Sequence, residues 1–207
     1  MPGARRLALV GGAAVLGAAA WWRRNPSACP YSQRFWVEAP HPFITRERLR
    51  ETLAPSPGER LLEVGPGTGY YTLPVAEWLS PGGRLDVLDV QQAMLDHTLR
   101  RAHEQGIDNI TPTLSDAREL PYADDSFDGA YLVTVLGEIP DQDAALRELG
   151  RVVKPGGRIV VGELFGDPHM VTHSALAARA QAAGLRVDHK LGGSLWHFTR
   201  LQPRLHR

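Results

Sequence analysis

Short apolar runs alternate with longer amphipathic segments over most of the chain. The apolar runs predict strands and the amphipathic segments predict helices. Strands are expected at 60–64, 84–88, 110–114, 128–133 and 158–163, and helices at 45–53, 70–79, 91–105, 142–153 and 170–183. Strands that alternate with helices of this length form parallel β–α–β units, so the pattern indicates a doubly wound α/β sheet.

The carboxyl-terminal part of the chain departs from this alternation. Residues 185–191 and 195–201 both have the composition of strands, and only Gly192, Gly193 and Ser194 separate them. A connection this short can join only antiparallel neighbours. We therefore expect a mostly parallel sheet of seven strands in which the last strand alone is reversed.

The first 24 residues differ in composition from the rest of the chain. Residues 7–22 carry no charge, pairs of arginine flank them at 5–6 and 23–24, and Trp21 and Trp22 lie at one boundary. This arrangement is typical of a membrane anchor. The run has 16 residues, whereas a full span needs about 17–25. A short or tilted anchor, a signal peptide and a weakly structured tail are therefore alternative interpretations.

Composition and charge narrow the class of protein. The chain has 207 residues, of which 43% are hydrophobic, as expected for one folded domain. We divide it into an apolar segment at 1–24, a linker at 25–41 and a folded domain at 42–207. Its 23 basic and 23 acidic residues balance, which argues against a nucleic-acid-binding module. A single cysteine, Cys29, excludes an intrachain disulfide and a cysteine metal cluster.

A glycine-rich motif, EVGPGTG, begins at Glu63 and contains Gly65, Gly67 and Gly69. It follows the first predicted strand and precedes a helix. Glycine allows a sharp turn and a close approach of the backbone to a ligand, and the following helix presents unpaired N–H groups. The spacing differs from the G-x-G-x-x-G of dinucleotide sites, since Tyr70 occupies the third glycine position. The alternative is a tight turn without a ligand.

Acidic residues follow the next two predicted strands. Asp89 ends the second strand, 20 residues after Gly69, where a carboxylate accepts hydrogen bonds from ribose hydroxyls in doubly wound folds. Asp86 is the alternative candidate for binding the ribose, although strand alternation places Asp86 on the opposite face of the sheet from Asp89. Asp116 follows the third strand, where it could either bind an adenine amino group or cap a helix.

Four segments together resemble the class I S-adenosylmethionine-dependent methyltransferases. LLEVGPGTGYYTLPVAEWL resembles motif I, LDVLDVQQAML the ribose-binding segment, SDARELPYADDSFDGAYLVTVLGEIPD the adenine loop and fourth strand, and LGRVVKPGGRIVVGE the helix, turn and fifth strand. They cover about residues 59–163. The resemblance is strongest to the small-molecule subgroup that includes quinone-biosynthesis methyltransferases.

This resemblance implies the strand order 3-2-1-4-5-7-6 and S-adenosyl-L-methionine as the cofactor. The cofactor-binding residues that it implies are Glu63, Gly65, Gly67, Gly69, Asp89, Met94, Asp116 and Ala117. The glycines would flank the methionine part, Asp89 would hold the ribose, and the last three would contact the adenine. Because the cofactor is made in the cytoplasm, the folded domain is expected there, attached to the membrane through residues 7–22.

The methyl acceptor is expected to be a small molecule, and the apolar segment favours a lipophilic one. Methyl transfer requires alignment of the acceptor with an electrophilic methyl, and a base only if the acceptor arrives protonated. Many members of the family that the chain resembles carry one or two histidines after the fourth strand, where this chain has Gly137 and Glu138. Our candidate catalytic residues are Glu138, His169, His173 and Tyr70.

Two of these candidates, His169 and His173, would share a face of the last predicted helix. They could then form a base with its orienting partner or a metal pair, or simply lie at an exposed helix start; we expect no metal requirement. Two other functions are considered: a non-catalytic, membrane-associated protein that binds the cofactor, and a nicotinamide-dependent oxidoreductase.

Overall fold

The computed structural model describes residues 25–33, 35 and 42–203. The proposed anchor at 7–22 and most of the second half of the linker lie outside these residues. Five α-helices are present in the described part of the chain: α1 Arg46–Leu53, α2 Thr72–Trp78, α3 Gln92–Glu104, α4 Gln142–Val152 and α5 His173–Ala182. Two short 3-10 helices lie at Tyr31–Gln33 and Leu136–Glu138.

The strands are β1 Arg60–Val64, β2 Arg84–Asp89, β3 Ile110–Leu114, β4 Phe127–Val133, β5 Val153–Leu164, β6 Leu185–Gly192 and β7 Trp196–Pro203. They form one seven-stranded sheet in the order β3-β2-β1-β4-β5-β7-β6. The first five strands are parallel, and β7 is antiparallel to both of its neighbours. The predicted α/β fold, its strand order and its single reversed strand are confirmed.

Apolar side chains cover both faces of this sheet. Leu61 belongs to the cluster on one face and Leu62 to the cluster on the other, because successive residues of a strand point to opposite sides. Buried residues of α4 and α5 cover one face, and residues of α1 and α2 cover the other. The sheet is therefore buried between two helical layers, and its carboxyl-terminal edge remains for a site.

Three element boundaries differ from the predictions for local reasons. β5 begins at Val153, not at 158, because Val153 pairs with Phe127 across an irregularity in the β4–β5 ladder. Residues 154–157, which separate the predicted helix from the predicted strand, are therefore part of β5. α2 begins at Thr72, after the turn of the glycine motif, and α5 begins at His173, where Thr172 accepts a hydrogen bond from the Ala175 N–H at 3.3 Å.

Asp86 lies inside β2, where an aspartate is unfavourable. Its carboxylate accepts hydrogen bonds from Arg60 at 2.9 Å and from Arg84 at 3.2 Å. These ion pairs satisfy the buried carboxylate and separate it from the cavities described below.

Candidate active site

Two adjoining cavities open at the carboxyl-terminal edge of the sheet. The first, which we call the glycine-loop cavity, has a volume of about 360 Å³ and is bounded by the glycine motif and by the ends of β2 and β4. The second, the β5 cavity, has a volume of about 600 Å³ and lies between the start of α2 and the end of β5. Both are lined by Ser27, Ala28, Cys29, Gly65, Val133, Thr134 and Glu138.

The glycine motif forms a left-handed turn at the floor of the first cavity. Gly65, Gly67 and Gly69 have φ angles of 71°, 55° and 84°, a region that favours glycine. A Cβ at Gly65 would lie 2.5 Å from a methyl of Val135. Gly65 and Gly67 line the cavity, whereas Gly69 packs against Thr98 of α3 and lines neither cavity.

α3 holds this turn from behind. The Thr98 hydroxyl donates a hydrogen bond to the Gly67 carbonyl at 3.1 Å, and the Arg101 guanidinium donates one to the Thr68 carbonyl at 2.6 Å. The Gly65 N–H donates to the Leu88 carbonyl at 2.8 Å. The turn is therefore fixed in place before any ligand binds.

Asp89 lies at the mouth of the glycine-loop cavity, as predicted from its place at the end of β2. It is only 8% exposed, and its Oδ1 accepts a hydrogen bond from the Gln91 N–H at 2.8 Å. Burial raises the pKa of Asp89 to about 6, against the opposing effect of backbone hydrogen bonds from Gln91 and Val90. Asp86, the alternative candidate, does not line the cavity.

The three residues implied for the adenine end also line this cavity. Met94 and Ala117 are buried and present apolar surface, and Asp116 lies beside them. The Asp116 carboxylate forms a two-point ion pair with Arg118, with contacts of 2.7 and 3.0 Å, which lowers its pKa. It also accepts the Arg118 N–H at 2.9 Å. Asp116 therefore lines the cavity and closes a local turn, but it does not cap a helix, because no helix begins there.

Glu63 is buried in β1 behind the glycine motif and lines neither cavity. Burial raises its pKa to about 7; the hydroxyls of Thr72 and Tyr131 are close enough to oppose this shift. Neither hydroxyl reaches hydrogen-bonding geometry, so Glu63 Oε2 is a buried oxygen without a hydrogen-bond partner. A cation bound above the turn would favour the ionised form of this carboxyl.

Glu138 borders both cavities at the end of the 3-10 helix that follows β4. Burial raises its pKa to about 7, and the charges of Asp167 and Asp89 add to the effect, while a hydrogen bond from the Cys29 N–H at 3.1 Å opposes it. The adjacent Gly137 packs on the backbone of His169, and a Cβ at position 137 would collide with the His169 carbonyl. The 3-10 helix that contains Gly137 and the turn that contains His169 therefore pack directly against each other.

Aromatic and acidic side chains line the β5 cavity. Tyr70, Tyr71 and Phe165 supply aromatic surface, and the Tyr70 and Tyr71 rings meet edge to face at 4.8 Å. Asp167 accepts the His169 N–H at 2.7 Å, and burial raises the pKa of this carboxyl. Among the described residues, no lysine or arginine lines this cavity.

The prediction that His169 and His173 share a helix face is wrong. α5 begins only at His173, so His169 lies in the turn before it and lines the β5 cavity. His173 lines neither cavity; its Nδ1 lies 3.0 Å from the Thr199 hydroxyl, and its ring packs against His197. Within residues 25–33, 35 and 42–203, no cluster of three or more His, Cys, Asp or Glu side chains is arranged to hold a metal ion.

Sequence reasoning missed several residues of the site. Gln91 lines the glycine-loop cavity, and residues 27–29 of the predicted linker line both cavities. Their contacts join positions 60 to 109 residues apart, so no local pattern reports them. Thr134 has a left-handed φ of 55°, which is strained for threonine and occurs at functional sites.

The fold is shared with known methyltransferase structures. A SAM-dependent methyltransferase from Aquifex aeolicus matches with a TM-score of 0.77 at 18% identity, over 84% of this chain and 98% of that one. The geranyl diphosphate C-methyltransferase of Streptomyces coelicolor matches with a TM-score of 0.67 at 15% identity, over 77% and 78% of the two chains. At such identities the likeness establishes the fold alone.

Sequence relatives are closer but longer. Methyltransferase GfsG of Streptomyces halstedii is 36% identical over 121 residues, which are 57% of this chain and 42% of that protein. The ubiquinone/menaquinone biosynthesis C-methyltransferase UbiE of Vibrio parahaemolyticus is 36% identical over 113 residues, or 54% and 43% of the two chains. The chain thus spans less than half the length of these relatives. The model of the ubiE/COQ5 methyltransferase family matches residues 41–177, and the chain belongs to that family.

Proposed function

We propose that this protein transfers a methyl group from S-adenosyl-L-methionine to a small, neutral, partly aromatic acceptor. The observation that carries the proposal is the pair of adjoining cavities, which share Gly65, Thr134 and Glu138 as a common boundary. Two substrates that react in line must lie next to each other in a fixed orientation, and adjoining cavities allow this. Family membership and the named methyltransferase relatives support the same reaction.

The glycine-loop cavity suits the cofactor. Gly65 and Gly67 leave room for the methionine part, Asp89 offers a carboxylate to a ribose diol, and Met94 and Ala117 offer apolar surface to a flat base. Of the other residues that the resemblance implied, Asp116 lines the adenine end. Glu63 and Gly69 act from behind the turn, since they line neither cavity. When bound, S-adenosylmethionine supplies an electrophilic methyl on a positively charged sulfur.

Positive charge in the cofactor is matched by the carboxyl groups around it. Burial raises the pKa of Asp89 to about 6 and those of Glu63 and Glu138 to about 7. A nearby cation favours the ionised form of each group. These carboxyls therefore favour a ligand that brings a sulfonium and an ammonium, and disfavour the pyrophosphate of a nicotinamide dinucleotide.

The β5 cavity suits the acceptor. Aromatic walls from Tyr70, Tyr71 and Phe165 favour stacking of a flat ring. The described lining carries carboxyls and no lysine or arginine, so acceptors with a carboxylate or phosphate are disfavoured by charge. A quinol-like ring fits these conditions, and the UbiE and demethylmenaquinone methyltransferase relatives are named for such substrates.

We assign the general-base role to Glu138. It is the carboxyl that borders both cavities, and a pKa of about 7 makes its carboxylate a base of suitable strength near neutral pH. It would accept the proton that the acceptor carbon or hydroxyl loses as the new bond to the methyl forms. His169 and Tyr70 line the acceptor side; we give them orienting roles. His173 is set aside because it lines neither cavity.

The reaction is tested in two steps. Calorimetry should show binding of S-adenosylhomocysteine and no binding of NAD, which separates a methyltransferase from an oxidoreductase. Incubation with cofactor labelled in the methyl group and a cell extract should then label a small molecule, which mass spectrometry identifies. Binding without any labelled product, across extracts rich in quinones and other lipids, would favour the non-catalytic alternative.

We also propose that residues 7–22 attach the protein to a membrane, with the catalytic domain on the cytoplasmic side, where the cofactor is made. The support is their apolar composition between paired arginines and beside two tryptophans. No helix among residues 25–33, 35 and 42–203 is long and apolar enough to cross a membrane. Fractionation should place the full chain with membranes and a chain that begins at Asn25 in the supernatant. Equal distribution of the two would refute the anchor.

A further inference from the structure

Residues 26–33, which we call the strap, cross the boundary between the two cavities. Pro26, Ser27, Ala28 and Cys29 line the glycine-loop cavity, and residues 27–30 with Gln33 line the β5 cavity. No residue of the strap is buried, since each is exposed or partly exposed. The strap is therefore held mainly by specific hydrogen bonds rather than by the burial of apolar surface.

Gln91 makes two of these hydrogen bonds. Its side-chain Nε2 donates to the Cys29 carbonyl at 2.9 Å, and its Oε1 accepts the Tyr31 N–H at 3.2 Å. The side-chain amide of Gln91 therefore bonds both the Cys29 carbonyl and the Tyr31 N–H, a carbonyl and an N–H of the strap backbone. Glu138 adds the bond from the Cys29 N–H, and the Tyr31 hydroxyl lies 3.2 Å from His97 Nδ1 on α3.

The backbone of Gln91 is also bonded to Asp89, the carboxylate proposed to hold the ribose. The Gln91 N–H donates to Asp89 Oδ1 at 2.8 Å. Gln91 therefore fixes Asp89 with its main chain and the strap with its side chain. A ligand that orders Asp89 also orders the residue that holds the strap closed.

We propose that the strap is a gate over the cofactor, that the Gln91 side chain is its latch, and that opening of the strap limits the exchange of S-adenosylhomocysteine for S-adenosylmethionine. The inference rests on the proposed methyltransferase function and adds a positioning role for Gln91. Segments held by a few surface hydrogen bonds open locally at low free-energy cost, and release of product through such an opening is often the slow step of turnover.

Chemical labelling of Cys29 can measure the opening of the strap. Cys29 is the only cysteine in the sequence, it lies in the strap, and it lines both cavities. Burial raises the pKa of its thiol, with smaller contributions from Glu138 and Asp167. Opening of the strap therefore accelerates thiol modification through both access and ionisation.

The experiment compares Gln91→Ala with Gln92→Ala in the full chain. The Gln91→Ala change keeps the backbone N–H that holds Asp89 and removes the two hydrogen bonds to the strap. Gln92 is the matched control, because its exposed amide bonds Asp96 at 2.8 Å and lines neither cavity. Two rates are measured for each protein: reaction of Cys29 with a chromogenic disulfide, and dissociation of S-adenosylhomocysteine in stopped flow.

We expect both rates to rise roughly ten- to hundredfold in Gln91→Ala, as the loss of two ordinary hydrogen bonds implies, and to stay unchanged in Gln92→Ala. S-adenosylhomocysteine should protect Cys29 in the unaltered protein. Tyr31→Phe, which removes the hydroxyl contact with His97 Nδ1, is the second variant and should raise both rates by a smaller factor. It keeps the test open if Gln91→Ala fails to fold.

The outcomes separate this proposal from the proposed function. If the unaltered protein does not bind S-adenosylhomocysteine in calorimetry, the proposed function fails. If it binds, but the folded latch variants release the product and expose Cys29 at the unaltered rates, the gate is overturned. Faster labelling of Cys29 with unchanged product release would also overturn it, because the strap would then move without controlling exchange.

Discussion

Replacement of Glu63 by glutamine should stabilise the ligand-free protein at alkaline pH. Glu63 is 3% exposed and has an oxygen without a hydrogen-bond partner. A pKa of about 7 against an ordinary value of 4.5 corresponds to about 3 kcal/mol. Glutamine has nearly the same shape, cannot ionise, and offers an amide to the Thr72 and Tyr131 hydroxyls.

The sign of the effect follows from proton binding. The folded state binds more protons than the unfolded state between pH 4.5 and about 7, so the contribution of Glu63 to stability falls as pH rises through that window. The destabilisation caused by ionised Glu63 is absent below pH 4.5 and fully present above about pH 7. Glu63→Gln should therefore add about 2–3 kcal/mol to the free energy of unfolding at pH 8.5 and little at pH 4.5.

Urea denaturation at the two pH values, without ligand, measures this difference. Glu77→Gln is the control, because Glu77 is an exposed carboxylate on α2, and it should change the free energy of unfolding by no more than about 0.5 kcal/mol. The reasoning is refuted if Glu63→Gln and the unaltered protein lose stability equally between pH 4.5 and 8.5. The same variant should bind S-adenosylhomocysteine more weakly, since the charge beneath the glycine turn is gone.

Three further predictions concern the site directly. Glu138→Gln should lower kcat at least a hundredfold with a much smaller loss of cofactor affinity, and kcat/KM of the unaltered protein, which reports the free enzyme, should rise with pH through about 7 to a plateau; a profile flat from pH 5 to 9 would exclude Glu138 as the base. Asp89→Ala should weaken S-adenosylhomocysteine binding roughly ten- to hundredfold, whereas an unchanged Kd in calorimetry would assign the ribose elsewhere. Gly65→Ala should abolish binding, because its methyl would meet Val135 at 2.5 Å; normal affinity in equilibrium dialysis would contradict this.

Much of the architecture could be predicted because its determinants are local in the sequence. Alternating apolar and amphipathic segments located the elements of the sheet, and the short connection at 192–194 required the reversed strand. The glycine motif and Asp89 were identified from their positions at strand ends, where parallel strands bring ligand-binding residues together. Asp86 was correctly set apart by strand alternation and pairs with Arg60 and Arg84.

Features that depend on distant contacts could not be predicted in this way. The extension of β5 to Val153 depends on its pairing with Phe127. The start of α5 depends on capping by Thr172 rather than on the helix-forming residues before it, which is why the expected histidine pair does not form. Gln91 joins the site through strap residues about 60 positions away, and its own neighbourhood in the sequence resembles an ordinary helix start.

The packing of Gly137 limits how the chemistry of this site can be redesigned. Any side chain at 137 would displace the His169 carbonyl and with it the turn that carries Asp167 into the β5 cavity. A histidine pair at positions 137 and 138 would therefore disrupt the wall of the β5 cavity, the proposed acceptor site. Attempts to give this scaffold a new acceptor should vary position 138 alone and leave the glycine before it in place.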